Sequence, residues 1–247
     1  MFALISDLHS NVPALEAVFE KIDALGVEDV RCLGDIVGYG AEPERCLDMV
    51  RSRCKFSLRG NHDWGMFSAL DEFNSLAREA LVWTRKRLKP GLNPLRWGRW
   101  RYLKNLPERV YDEGDLFVHA SPRDPIREYV LKSDGFLNPE KLEDLFARFE
   151  GRCFLGHTHQ PGFTGEDLRF HPAVGDEAQL KLPDGKAMIN VGSVGQPRDG
   201  DPRACFCVVR GDTVTYHRVP YDIEKAQHLI LQAGLSPFLA ERLERGR

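Results

Sequence analysis

Five short apolar runs of this chain end on side chains that bind metals or move protons. "LISDLH" ends at Asp7 and His9, "CLGD" at Asp35, and "LRGNHD" at Asn61, His62 and Asp63; "FVHA" delivers His119, and "FLGHTH" delivers His157 and His159. Carboxylate, amide and imidazole groups without thiolate suit manganese, iron, zinc or nickel better than calcium or magnesium alone. A closed zinc site takes about four ligands and a catalytic one about three, so this set is too large for one ion. Two ions fit better. A pair of ions about 3.5–4 Å apart needs a carboxylate that gives one oxygen to each. Asp7 and Asp35 are the carboxylates that end separate strands, so one of them should bridge. His157 and His159 are two residues apart, and on extended backbone both rings would face one cavity.

Two divalent ions bring four positive charges, against two from Asp7 and Asp35 and one from a bridging hydroxide; the surplus favours an anionic phosphate. The ions would make hydroxide available near neutral pH, orient the phosphate and stabilise the charge growing on its oxygens. Departure of an alkoxide still needs a proton. His62, beside Asn61, is the candidate donor.

These side chains need elements that deliver them to one place. "FALIS", "VEDVRCLG" and "KFSLRG" alternate with helical stretches in "NVPALEAVFEKIDALG" and "EPERCLDMVRSR", which predicts βαβαβ and a parallel sheet. Asn11 is placed to cap the first helix and Gly26 to close it. Ser10 and Asn11 also follow the first motif closely enough to touch a substrate. Glycine precedes the polar side chain at Gly34, Gly60 and Gly156, where it permits tight turning and close approach. Leu70, Phe73, Leu76, Ala77, Ala80, Leu81 and Leu88 predict a long amphipathic helix from about Phe67 to Leu88. The basic aromatic stretch from Arg85 to Arg109 repeats Trp100, Leu103 and Leu106 at helical spacing, which predicts a packed helix with solvated arginines rather than a nucleic-acid surface. Later runs predict antiparallel strands, with Asp184-Gly185 and Gly211-Asp212 as hairpin turns. His171, His217 and His228 fall outside the pattern and are expected to be structural.

The 247 residues carry a formal charge of −3 and are 42% hydrophobic, enough for a large core and too balanced for a nucleic-acid coat or a membrane-surface binder. "MFALISDLHS" has no basic leader, and no run is long enough to span a bilayer. Cysteines at 32, 46, 54, 153, 205 and 207 contain no CxxC pair. Buried thiols in a reducing cytoplasm are therefore expected.

The order DxH, GD, GNHD, H, GHTH resembles the calcineurin-like metallophosphoesterase superfamily, and "INVGSVGQPRDGDPRA" is similar to a bacterial branch whose members begin with "DLHSN". The resemblance implies an α/β fold, a four-layer αββα sandwich of two mixed sheets flanked by helices. It implies that Asp7, His9, Asp35 and His159 hold one divalent metal and that Asp35, Asn61, His119 and His157 hold the second, with Asp35 bridging. His62 would be the general acid, with Asp63 orienting it. Arg198, in "GQPRDGDP", is a candidate to grip a substrate phosphate oxygen, the plain alternative being a surface turn arginine. We expect a single domain over 1–247 with a helical insertion at about 66–107 beside the site.

The expected activity is dinuclear metal-dependent hydrolysis of a phosphodiester, with phosphomonoesters second and a nucleotide among the candidate substrates. A protein serine/threonine phosphatase and a non-catalytic interaction scaffold on the same fold are the alternatives, and retention of His62 counts against the scaffold. Metallo-β-lactamase and amidohydrolase relatives should begin with HxHxDH or HxH, and "SDLHSN" is neither.

Overall fold

The computed structural model describes residues 1–247, the side chain of Leu95 excepted. The chain opens with β1 (Phe2–Ile5), α1 (Val12–Ala24), β2 (Val30–Cys32), α2 (Pro43–Arg53) and β3 (Phe56–Ser57). The strands run parallel in the order β3-β2-β1, with Ile5 opposite Cys32 and Cys32 opposite Ser57. Asn11 caps α1: its Oδ1 accepts from the Ala14 amide at 3.2 Å and its Nδ2 donates to the Gly195 carbonyl at 2.9 Å. Both ends of that side chain are engaged within the fold.

Next come α3 (Asn61–Gly65), α4 (Ser75–Leu88) and α5 (Pro94–Lys104). The helix expected from about Phe67 begins eight residues later. Asn74 stops it there by accepting from the Ala77 amide at 2.9 Å. Arg78 also reaches back to the carbonyls of Leu70 and Asp71, at 3.1 and 3.2 Å, and supports the segment before the cap in a non-helical path. The expected packed helix is α5, with Leu103 and nearby Leu106 buried and Trp100 half-buried on the same core.

The remainder contributes β4 (Arg109–Asp112), β5 (Asp115–Val118), α6 (Asp134–Leu137), α7 (Pro139–Phe146), β6 (Arg152–Leu155), β7 (Gly162–Gly165), β8 (Phe170–Pro172), β9 (Glu177–Lys181), β10 (Ala187–Asn190), β11 (Ala204–Arg210), β12 (Thr213–Val219), α8 (Ile223–Gln232) and α9 (Pro237–Arg245). Two six-stranded mixed sheets result, β3-β2-β1-β11-β12-β9 and β4-β5-β6-β10-β7-β8. Gly211-Asp212 is the tight turn between β11 and β12, where Arg210 faces Thr213. Asp184-Gly185 is not a hairpin. It joins β9, paired with β12, to β10, paired with β6 and β7, and so carries the chain between sheets.

Strand alternation builds the layers. Phe2 and Leu4 of β1 meet Phe117, Phe154 and Ile189 of the second sheet in one core, while Ala3 and Ile5 face Leu15, Val18 and Ile22 of α1 in another. On the far side, Val118, Cys153 and Met188 pack against Leu142, Leu145 and Phe146 of α7. The architecture is therefore α/β, helices on sheet on sheet on helices, the four-layer sandwich expected. The C-terminal ends of β1, β2, β5 and β6, with the start of α3, converge on one edge of this stack, and the metal-competent side chains follow there.

Candidate metal centre

Five of the nine described non-glycine residues with positive φ are expected ligands: Asp7 (55°), His9 (48°), Asp35 (52°), His157 (62°) and His159 (58°). Left-handed backbone is unfavourable for such residues, and it persists where the surrounding structure over-determines it, commonly at functional sites. This corrects the extended-backbone reading of His157 and His159. They sit on a turn after β6, and their side chains divide between two donor groups. Close approach of the strand ends requires two glycines in particular: a methyl group on Gly60 would overlap the Asp35 carboxylate, and one on Gly156 the Ser6 hydroxyl and Asp7 carboxylate.

The first group is Asp7, His9 and His159, the second Asp35, His119 and His157, and a third, His9, Asp35 and His62, joins them. His159 Nε2 lies 3.1 Å from Asp7 Oδ1 and 3.4 Å from His9 Nε2. His119 Nε2 lies 3.2 Å from Asn61 Oδ1 and 3.5 Å from Asp35 Oδ2, and His9 Nε2 lies 3.8 Å from the same oxygen. Ligand atoms about 2.0–2.2 Å from one ion lie roughly 3–3.5 Å apart, the spacing of His159 and His119 from their neighbours, while His9 stands wider, 3.8 Å from Asp35 and 4.0 Å from Asp7. Backbone carbonyls fix the rings: Leu33 accepts from His119 Nδ1 at 2.9 Å, Gln196 from His159 Nδ1 at 2.5 Å and Arg127 from His157 Nε2 at 3.1 Å. Each leaves its other nitrogen lone pair turned toward the cluster.

The electrostatics describe a site short of positive charge. Burial, then the Asp63 and Asp7 carboxylates, push Asp35 well above the usual carboxylate range. Asp7 is held well below that range: burial works against this, and the charges of His159, His119 and His9 outweigh it. Burial, then the charge of Arg198, drives His62 well below the usual histidine range. Asp7 Oδ1 has no hydrogen-bond donor although it is fully buried. A divalent cation would meet that lone pair, balance both carboxylates and take the fixed imidazole lone pairs, so the residues present fit one. All six cysteines lie outside the donor groups.

Asp63 departs from expectation. Its carboxylate accepts from the amides of Gly60 (3.0 Å), Ile36 (3.1 Å) and Val37 (3.2 Å), and these partly offset the burial that pushes it up to about 7. His62 Nδ1 has no hydrogen-bond partner, so the expected Asp63–His62 contact is not made. Asp63 instead ties the turn after β2 to the start of α3.

A cavity of about 220 Å³ opens over the cluster, with Asp35, Asn61, His62, His157 and His159 at its floor. Arg198 lines it, donating to Gln196 Oε1 at 3.0 Å while its buried Nε lacks an acceptor. Tyr39, Trp64, Glu72, Phe73, Arg127 and Tyr129 line it as well, and none of these was singled out from the sequence as a site residue, Phe73 having been read only for its place in a helical pattern. The one available signal was position, since Arg127 and Tyr129 follow the His119 strand end and Tyr39 follows Asp35. His171 is half-exposed and stacks on Phe163, and His217 is buried against Phe206, both outside the cavity.

The profile of the calcineurin-like phosphoesterase family matches residues 1–161. An uncharacterised protein from Methanocaldococcus jannaschii is 38% identical over 259 residues, covering 100% of this chain and 98% of its own. The crystal structure of a metallophosphoesterase from Sphaerobacter thermophilus superposes with a TM-score of 0.86 at 39% identity, covering 100% of this chain and 98% of that one. A hypothetical protein from Pyrococcus horikoshii OT3 shares the fold, with a TM-score of 0.77 at 20% identity and coverage of 100% and 99%.

Proposed function

From the premise that this chain belongs to the calcineurin-like phosphoesterase family, we propose that it is a dinuclear hydrolase acting on phosphodiesters first and phosphomonoesters second. That it is a metal-dependent phosphoesterase follows from the family and the buried His/Asp clusters. The observation that carries the finer reading is the pair of donor groups joined at His9 and Asp35. Asp7, His9, Asp35 and His159 would hold one ion, and Asp35, Asn61, His119 and His157 the other. Manganese, iron, zinc and nickel all match these donors. When bound, the ions supply positive charge for the phosphate and acidify water.

The chain's own groups do the rest. The Arg198 guanidinium, whose Nε has no acceptor within the chain, grips a non-bridging phosphate oxygen. His62, whose lowered pKa the negative charge of a bound phosphate opposes, gives its proton to the departing alkoxide oxygen. Asp63 keeps His62 in place through the backbone amides at either end of its carboxylate. Phe73 and Ala77, within the 66–107 insertion of a single 1–247 domain, exclude water from one side.

The test is hydrolysis of an aryl phosphodiester by metal-stripped protein resupplied with manganese, beside the His62→Ala variant. Turnover restored by metal and lost in the variant supports the reading. Full activity after chelation, or in the variant, overturns it.

A further inference from the structure

The cavity over the cluster, about 220 Å³, is below the roughly 300–1,000 Å³ of pockets that enclose a drug-sized ligand. A phosphate with one small substituent fills it. Anything larger must pass its outer rim, and the rim has a definite chemistry. Arg127 stands there half-exposed, its guanidinium over the Trp64 ring at 5.6 Å, and the Tyr129 ring lies 4.0 Å from that of His157. Glu72, from the segment before α4, faces Arg127 with Oε2 3.2 Å from Nη1. Glu72 and Asp35 are the carboxylates lining the cavity. Asp124 faces Arg127 Nε with Oδ2 at 3.4 Å, is held by the amides of Ile126 and Arg127 on Oδ1, and lies outside the cavity, so it stays with Arg127 as a second, fixed neighbour.

We propose that Arg127 is an outer anion subsite, selecting phosphate esters that carry a second negative group beyond the scissile phosphate, and that Glu72 is the internal competitor this group displaces. The proposal rests on the phosphoesterase reading of the cluster below. Exposed ion pairs contribute about 0–1 kcal/mol, so the Arg127–Glu72 pair is cheap to open. A carboxylate or phosphate that spans two guanidinium nitrogens forms a charge-assisted bidentate contact that Glu72, with both oxygens on Nη1 alone at 3.3 and 3.2 Å, does not match. Because the Arg127 main-chain carbonyl holds His157, a side-chain substitution at 127 leaves the histidine's support intact.

The experiment compares two nearly isosteric aryl diesters, nitrophenyl propyl phosphate and nitrophenyl carboxyethyl phosphate, in the metal-loaded protein and in Arg127→Gln, Arg127→Lys and Glu72→Gln. The parent should show the lower KM for the carboxyethyl ester. Arg127→Gln should raise that KM roughly tenfold, to the propyl value, with kcat held. Arg127→Lys should recover part of the preference, and Glu72→Gln should lower the carboxyethyl KM about threefold while leaving the propyl ester unchanged. Equal KM values in the parent, or equal shifts on both esters, overturn the subsite. The corresponding phosphonates, titrated by calorimetry, read the same preference without turnover. Loss of hydrolysis with the binding preference intact would count against the phosphoesterase reading alone.

Discussion

Arg31 and Asp7 are both almost fully buried charges, and their surroundings were built for different ends. The Arg31 guanidinium meets Asp29 at 2.8 Å and Asp112 at 2.9 Å and lies 3.9 Å from the centre of the Phe2 ring, within reach of Phe56 and Phe117 as well. Its charge is answered from within the chain by two carboxylates, although Nη1 itself lacks a hydrogen-bond partner, and because Asp112 belongs to β4 the pairing also clamps the two sheets at one edge. At the strand ends, Asp7 Oδ1, His9 Nδ1 and the Ser6 hydroxyl lack partners, as do His62 Nδ1 and Arg198 Nε. Unpaired buried polar atoms are expensive and uncommon. Their concentration beside the left-handed turns marks a place where folding alone leaves interactions unmade, to be completed by cation and substrate.

The sharpest way to break this contrast is to remove the residue both donor groups approach. Asp35→Asn should lower phosphodiesterase turnover by roughly a thousandfold or more, measured as kcat with excess metal, since an amide offers one acceptor oxygen where the bridge needs two. Activity within tenfold of the parent would remove Asp35 from the centre. His62→Ala should cost about a hundredfold or more in kcat with metal content unchanged by elemental analysis, since general acid catalysis contributes on that scale. A large loss of bound metal in that variant would make His62 a ligand instead.

Stability distinguishes the clusters next. Arg31→Met should destabilise by about 2–4 kcal/mol in urea unfolding, because Asp29 and Asp112 lose their buried partner and keep only the more exposed Lys55, and the deficit should be the same with and without metal. Saturating manganese, at about 100 times its dissociation constant, should stabilise the parent by roughly 2.7 kcal/mol. That gain should vanish in Asp35→Asn and persist in Arg31→Met. A metal-dependent Arg31 deficit would show that the clusters are coupled through the sheets.

The same contrast explains what could be read from the chain. Ligand types and their positions at strand ends were legible because each follows an apolar run, and the order of those runs gave the parallel half of the first sheet. Periodicity could not place the start of α4, since Phe73 and Leu70 keep helical spacing while Asn74 and Arg78 impose a different backbone. Nor could it separate a hairpin from a crossing at Asp184-Gly185, because that depends on which distant strand each neighbour joins. Asp63 illustrates the local limit: the family resemblance implied that it orients His62, and its spacing alone did not show that a carboxylate at the third position of a short helix faces the amides of the preceding turn. The rim residues Glu72 and Arg127 are 55 positions apart and meet only in the fold.

A histidine outside both clusters provides the smallest test. His217 stacks on Phe206 at 5.0 Å, with Glu177 3.5 Å from its Nδ1 and Lys21 acting on it from α1. Burial lowers its pKa from 6.5, the Glu177 carboxylate offsetting part of the shift and Lys21 adding to it. The unfolded chain therefore takes up this proton first as pH falls. Stability from the neutral ring is complete above about 6.5 and is lost as pH drops through 6.5 toward the lower folded value. In His217→Gln, stability between pH 7 and 5 should fall less steeply than in the parent, by a fraction of a kcal/mol measured in urea. Because the cavity over the metal cluster does not include this ring, the difference should be identical in metal-loaded and stripped protein. A dependence on metal would connect β12 to the strand ends and blur the line between a paired interior and a centre left open.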